Sequence, residues 1–346
     1  MGDAKGVSEA WEDLLTSKIF PDTGVYNQFL MLYGRQHNTS KMNDVLESMM
    51  KHVPPNPVTA TTVIDMLGKT GRIGEMEALF EDMKTSPDTT PTSVTYHQML
   101  NAYAKSGDVS KMQRIYDEFK SKGFEENGVT FNILIEGYGR AKRFEQMQEV
   151  LAQRKDKGVP LDDLTFCVLI ASYGRVKLTA ELDKVAEQLK QPEHIHLLTR
   201  KVIWSFIDAY CRCADVQRME TWIQELAKVS ESGQLTSHDE MILLGFYCRA
   251  GSMDFVESSA EKIEARGVEL TYGALNAMAK GFARQGRLDK TVAVLHRMRD
   301  RNVVPDASTT LYLSSSFLKA GLPEQAHQVV EWRRQYSKVA GEDVTE

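Results

Sequence analysis

The sequence predicts an all-α protein, a solenoid of about nine helix-turn-helix repeats of ~35 residues, and three observations carry that prediction. An aromatic anchor recurs at Tyr33, Tyr103, Tyr138, Tyr173, Tyr210, Tyr247, Phe282 and Phe317, with Leu67 in the one remaining slot, at spacings of 34, 36, 35, 35, 37, 37, 35 and 35. Within each period apolar residues fall at i, i+3, i+4 and i+7, the stripe of an amphipathic helix. Glycine and proline punctuate the stripes at matching places. At 346 residues and 42% apolar content the chain has material for two ordinary domains. A period held along its whole length instead means stacked units.

The first helix of each repeat is marked by a stripe ending on the anchor: Tyr26, Phe29, Leu30, Tyr33; Tyr96, Met99, Leu100, Tyr103; Phe131, Leu134, Ile135, Tyr138; Phe166, Leu169, Ile170, Tyr173. A break follows, with glycine at Gly71, Gly107, Gly251, Gly286 and Gly321, where a helix can end in a left-handed residue without steric cost. The second stripe then begins: Met42, Val45, Leu46, Met49; Met76, Leu79, Phe80, Met83; Met112, Ile115, Tyr116, Phe119; Met219, Trp222, Ile223, Leu226. Short loops such as Gly123-Phe124, Gly158-Val159 and Val304-Pro305-Asp306 close the units. One hairpin cannot bury both stripes alone, so neighbours must stack. The expected repeats are 23–56, 57–92, 93–127, 128–162, 163–199, 200–236, 237–271, 272–306 and 307–339. Residues 1–22, with Trp11, Leu14 and Leu15, read as a partial repeat whose helix caps the array, and 340–346 as a disordered tail.

Forty-eight Asp and Glu against 42 Lys and Arg give a formal charge of −6, and the pI is near 5.8. That balance argues against a protein coated in nucleic acid, while leaving room for a local basic stripe. Cys167, Cys211, Cys213 and Cys248 fit neither a dense disulfide framework nor a paired C-x-x-C metal site, so buried thiols in a reducing compartment are expected. No apolar run approaches the ~18 residues of a membrane span. The opening MGDAKGVSEA is unlike the acid-poor presequences of imported proteins. A mature or trimmed chain, or one that is not imported, is the expectation.

The text of these units, for example SVTYHQMLNAYAKSGDVSKMQRIYDEFKSKGFEEN and GVTFNILIEGYGRAKRFEQMQEVLAQRKDKGVPLD, resembles the P-class pentatricopeptide repeat family over nearly the whole chain. The W-x₂-L-G-x₂-Y pattern of the competing tetratricopeptide repeat is absent. The resemblance implies a right-handed superhelix that binds single-stranded RNA, one base per repeat. It implies that the fifth and last residues of a repeat meet a base edge and that the second wedges between bases. Carried onto this sequence, the base-reading pairs are Asn27 with Asn56, Thr61 with Thr92, His97 with Asn127, Asn132 with Asp162, and Asn276 with Asp306. Cys167/Thr199, Trp204/Thr236 and Met241/Thr271 fall outside the family's code. In that code Asn132/Asp162 and Asn276/Asp306 favour uracil and Asn27/Asn56 a pyrimidine. Apolar wedges stand only at Val58, Val94, Val129 and Leu164, which makes repeats two to five the expected RNA groove. The bland alternative for these Asn and Asp residues is helix capping at repeat junctions.

Two residues after every anchor stands a cation: Arg35, Lys69, Lys105, Arg140, Arg175, Arg212, Arg249, Arg284 and Lys319. A cation in the last turn of a helix is favoured by ~0.3–1 kcal/mol against the helix dipole, which explains the residue type in each repeat. A solenoid also turns one repeated position into a ladder, and a ladder of cations matches the phosphates of an extended strand. Both readings stay open. Acidic residues gather in second helices, at Glu75, Glu77, Glu81, Asp82, Asp117, Glu118, Glu145 and Glu149, where an outer face is expected.

No H-E-x-x-H, G-x-x-x-x-G-K-[ST] or strand-borne G-x-G-x-x-G is present. The H-x-E and C-x-x-C of a deaminase extension are missing too, and His194 and His196 lack a spaced metal partner. No enzyme activity, metal or cofactor is therefore expected. The primary expectation is an organellar factor, chloroplast ahead of mitochondrion, that occupies U- or pyrimidine-containing single-stranded RNA in its stabilisation, processing, splicing or translation. It would work alongside protein partners of an organellar ribonucleoprotein complex and without a membrane. The alternative is a protein-protein scaffold within a ribosome or another large organellar complex.

Overall fold

The computed structural model describes residues 4–17, 21–35, 38–52, 56–230 and 233–340. Among them are nineteen α-helices and no strand. The chain divides into two compact units, residues 1–172 and 173–346. Unit 1 carries α1 (Ala4–Thr16), then the hairpins α2 (Thr23–Arg35) with α3 (Thr39–His52), α4 (Pro57–Lys69) with α5 (Ile73–Thr85), α6 (Ser93–Ser106) with α7 (Val109–Ser121), and α8 (Gly128–Arg140) with α9 (Phe144–Asp156). It ends within α10 (Asp163–Arg175). Unit 2 takes the last residues of α10, then α11 (Thr179–Leu189), α12 (Arg200–Cys213) with α13 (Val216–Val229), α14 (Ser237–Ala250) with α15 (Met253–Ala265), α16 (Tyr272–Arg284) with α17 (Leu288–Asp300), and α18 (Ala307–Lys319) with α19 (Pro323–Ala340). The last helix runs one residue into the stretch expected to be a disordered tail; 341–346 lie outside the described residues.

Each first helix starts where a side chain can replace a missing backbone acceptor. Asn56, Thr92 and Asn127 accept from the backbone N–H of Thr59, Thr95 and Thr130, and Asp162 Oδ1 accepts from that of Thr165 at 2.7 Å. In unit 2 Thr199, Thr236, Thr271 and Asp306 do the same. Such caps contribute about 1 kcal/mol each. The hairpin turns need a left-handed residue, and Gly107 and Gly251 supply it without strain. At the same place in other periods stand Lys142, Lys177 and Ala214, with φ of 60°, 60° and 57°, so the turn geometry outlasts the loss of glycine at a cost of order 1 kcal/mol each.

All the anchors, Leu67 included, are buried. Their phenol hydroxyls cannot be left unpaired there, and each of four donates to the second helix of the preceding hairpin. Tyr103 reaches Glu77 at 2.7 Å, Tyr138 reaches Gln113, Tyr210 reaches Asp183 at 2.7 Å, and Tyr247 reaches Glu220. Glu77, expected on an outer face, is thus a half-buried tie that also takes Lys111 at 2.7 Å. First helices approach closely through small residues. A Cβ on Gly68 would lie 2.8 Å from that of Ala102, and one on Gly174 would lie 2.7 Å from that of Ala209.

Candidate functional site

In unit 1 the N-terminal turns of α4, α6, α8 and α10 share one arrangement. The second residue of each repeat is an exposed apolar side chain: Val58 at 66%, Val94 and Val129 at 54%, Leu164 at 44%. In the first three helices, three positions on and on the same helix face, stands a polar fifth residue, and it is tied to the next hairpin. Thr61 Oγ1 lies 2.7 Å from Thr95 Oγ1, His97 Nε2 lies 2.8 Å from Thr130 Oγ1, and Asn132 Oδ1 accepts from Thr165 Oγ1 at 2.9 Å. The partner is always the third residue of the following repeat. That threonine recurs in the V-T-Y, V-T-F and L-T-F text, which carried the signal, but its part in fixing the fifth residue was missed by sequence reasoning.

The last residues, Asn56, Thr92, Asn127, Asp162 and Asp306, are all N-caps, as the bland reading has it. Two of them also meet their fifth-residue partner. Asn132 Nδ2 points to the Asp162 carboxylate at 3.3 and 3.4 Å. In unit 2 the contact is of another kind, for Asn276 Oδ1 accepts from the backbone N–H of Asp306 at 3.0 Å while its Nδ2 donates to the Tyr272 carbonyl. Asn27 is half-buried, and its Oδ1 has no hydrogen-bond partner among the described residues.

A residue that sequence reasoning did not single out lies beneath Asn132. Arg154 of α9 is 1% exposed. Its Nη1 donates to Asn132 Oδ1 at 2.7 Å and to Thr165 Oγ1 at 2.8 Å, and its other nitrogens reach the Pro160 and Val159 carbonyls. Burial pulls the Arg154 guanidinium down from its ordinary value, opposed by the Asp162 charge 3.7 Å away. Burial pushes the Asp162 carboxyl up, but the hydrogen bonds from Thr165 and Asn132, together with the Arg154 charge, outweigh it and hold the group below the usual carboxylate range. His97 is pushed down by burial, which favours the neutral ring.

The repeated cations end the first helices, and they are not equivalent. Lys69, Arg140 and Arg212 are each paired with an acid one turn back in the same helix: Asp65 at 2.5 Å, Glu136 at 2.8 Å and Asp208 at 2.8 Å. Arg249 lies 3.4 Å from Asp208 and 4.3 Å from the centre of the Phe246 ring. Lys105, Arg284 and Lys319 are exposed and have no ion-pair partner among the described residues. Arg175 is exposed at the end of α10, and the Arg35 side chain lies outside what the structure describes. The expected line of positive charge is therefore partly neutralised from within. Among the described residues no cluster of His, Cys, Asp and Glu is arranged to hold a metal, and no helix is long and apolar enough to cross a membrane.

Comparison with known proteins places these features in company. A family model described as a PPR repeat family matches residues 91–138 and 126–175, and one described as a PPR repeat matches 58–87 and 274–303. A pentatricopeptide repeat-containing protein of Arabidopsis thaliana, named as chloroplastic, is 30% identical over 106 residues, which is 30% of this chain and 21% of that protein. A second Arabidopsis thaliana protein of that description is 32% identical over 81 residues, covering 23% of this chain and 18% of its own length. The crystal structure of the pentatricopeptide repeat protein PPR10 from maize superposes with a TM-score of 0.54 at 18% identity, over 95% of this chain and 56% of that one. The likeness to the maize structure is one of fold, and in each comparison the match spans little more than half of the relative's length, or less.

Proposed function

We propose that this chain, which belongs to the pentatricopeptide repeat family, binds single-stranded RNA along the N-terminal turns of its first helices and acts by occupying the strand rather than by catalysis. The observation that carries the reading is the arrangement repeated in α4, α6 and α8. Each places an exposed apolar side chain beside a polar group held by the next hairpin. A nucleobase asks for that combination, since its face is apolar and stackable while its edge is a row of donors and acceptors. Val58, Val94, Val129 and Leu164 serve as wedges. The edge is met by Thr61 with Thr92, His97 with Asn127 and Asn132 with Asp162, and more weakly by Asn27 with Asn56 and Asn276 with Asp306. The exposed cations, Lys105 foremost in unit 1, meet phosphates. The strand preferred is rich in uracil or other pyrimidines, and the setting is an organelle, in keeping with a relative named as chloroplastic.

The test is retention of RNA. A randomised single-stranded pool, passed over the purified chain at low salt, is expected to yield bound species, with duplex RNA retained far less. Replacing Val94 and Val129 by Ser is expected to weaken binding ~10-fold, as the loss of about 1–2 kcal/mol of stacking requires. Absence of any retained RNA would leave the fold intact and shift the reading to a scaffold that grips protein.

A further inference from the structure

Arg154 breaks the pattern of its own repeat. At its place in the period seven other hairpins bury an apolar side chain: Met49, Met83, Phe119, Leu189, Leu226, Ile263 and Met298. The ninth has Arg333, which is less deeply buried and stands in a hairpin whose fifth residue is Leu311. Burying a guanidinium is costly unless its donors are satisfied, and here they are. What sets this site apart is where two of the bonds go: to the oxygen of the Asn132 amide and to the Thr165 hydroxyl.

The rest of the chain shows the same two positions without an arginine. Among the described residues two buried side-chain polar atoms have no hydrogen-bond partner, Asn27 Oδ1 and Thr309 Oγ1. The first is the fifth-residue oxygen of a hairpin that carries Met49. The second is the third-position hydroxyl that follows a hairpin carrying Met298. These are the two kinds of atom that Arg154 Nη1 bridges. Asn276, followed thirty residues on by Asp306 as Asn132 is by Asp162, but with Met298 in place of the arginine, spends its amide differently: Oδ1 on the Asp306 backbone and Nδ2 on its own helix.

We infer that Arg154 is a positioning residue for base selection, turning the Asn132 amide oxygen inward so that this hairpin offers an N–H donor beside the Asp162 carboxylate. The inference rests on the reading that RNA bases meet Asn132. An amide nitrogen carries two N–H bonds; one points to Asp162, and no acceptor among the described residues takes the second. A donor next to a carboxylate matches a base edge that sets a carbonyl beside an N–H, which uracil and guanine have. Adenine and cytosine put an amino group where the carbonyl must be. The two Asn/Asp pairs, alike in sequence, are therefore unlike in selectivity: Asn132/Asp162 selects a keto base, and Asn276/Asp306 lacks the inward lock.

The experiment uses the full chain and a randomised single-stranded RNA pool, with bound species sequenced for the unchanged protein, Asn132→Ala, Arg154→Met and Met298→Arg. Arg154→Met installs the residue that other hairpins already bury there, so it is expected to fold. The unchanged protein should enrich uracil or guanine at one position by ~10-fold, and both Asn132→Ala and Arg154→Met should bring that ratio near one. Total RNA retention and its salt dependence should change less than ~3-fold for Arg154→Met, which a general loss of structure would not allow. Met298→Arg, placed below an amide and a partnerless threonine hydroxyl, should create a second constrained position. A pool in which Asn132→Ala loses the preference and Arg154→Met keeps it overturns the role of Arg154 while leaving RNA binding standing. Failure of the unchanged protein to retain RNA, or an unchanged ranking with Asn132→Ala, removes the underlying reading and the inference with it. Should Arg154→Met not fold, Met298→Arg decides: a new preference supports the assignment, and none refutes it.

Discussion

Replacing Asp65 with Asn and Glu136 with Gln frees Lys69 and Arg140 from the acids that hold them in α4 and α8. Both pairs are i,i+4 pairs on exposed helix surface, where each is worth about 0.3–0.5 kcal/mol, so the double variant is expected to stay folded. If these cations face phosphates, their release adds two contacts to that of Lys105, the repeated cation of unit 1 that has no ion-pair partner among the described residues. For a single strand each contact steepens the slope of log K against log salt by ~0.7, so the slope should grow by about 1.4. Relative to a 1 M reference, affinity at 0.1 M salt should rise about 5-fold per contact, or ~25-fold in all. Fluorescence anisotropy of a labelled oligouridine between 50 and 300 mM KCl, run beside thermal melts, measures both quantities. A double variant with unchanged melting temperature and unchanged slope would show that Lys69 and Arg140 merely complement the helix dipole. The same result would remove Lys69 and Arg140 from the phosphate contacts of unit 1.

Two further expectations concern the scaffold. Gly174→Ala gains up to ~1 kcal/mol of helix propensity, but its Cβ would stand 3.0 Å from the Ala209 Cα, which cannot swing aside. A net loss of about 1–2 kcal/mol by chemical denaturation is expected, whereas Gly245→Ala, with no atom within 4 Å of the added carbon, should gain ~0.5–1 kcal/mol; equal effects at the two sites would contradict the close approach of α10 and α12. His97 provides a pH test. Burial holds its pKa below the ordinary value of 6.5, so below 6.5 the unfolded chain binds a proton that the folded one refuses. Stability that is fully present above that value should be lost as pH falls toward the lower folded pKa, and the loss should be smaller in His97→Gln; parallel melting curves for the two proteins from pH 7.5 to 5 would refute it.

The hairpin period was legible because one chemical requirement, a large side chain buried between neighbouring hairpins, repeats at every anchor. The second-position side chains were legible for a similar reason: Val58, Val94, Val129 and Leu164 are apolar where a helix start is normally polar, and the structure shows them exposed. Hydrogen-bond partners were not legible. Asn132 and Asn276 read alike, each with an aspartate thirty residues on, yet their amides are spent on different atoms because the residue beneath one is arginine and beneath the other methionine. Arg154 itself sits among Gln153, Lys155 and Asp156, so sequence alone gives it the look of one more solvated charge. Only the packing of the hairpin turns it inward. The cations show the opposite error, for their type repeats faithfully while their availability depends on whether the residue four places earlier is Asp65 and Glu136 or the neutral Asn101.

The phenol hydroxyls carried by the anchors make hairpin order a matter of matching ends. Tyr103, Tyr210 and Tyr247 each require a carboxylate on the hairpin before them, so a reshuffled array that put such a hairpin after an apolar neighbour would strand a buried O–H at a cost of about 1–3 kcal/mol. Phe282 and Phe317 make no such demand. Hairpins taken from the end of the chain can therefore be duplicated or moved with little penalty, while those bearing tyrosine travel safely only together with the partner that precedes them.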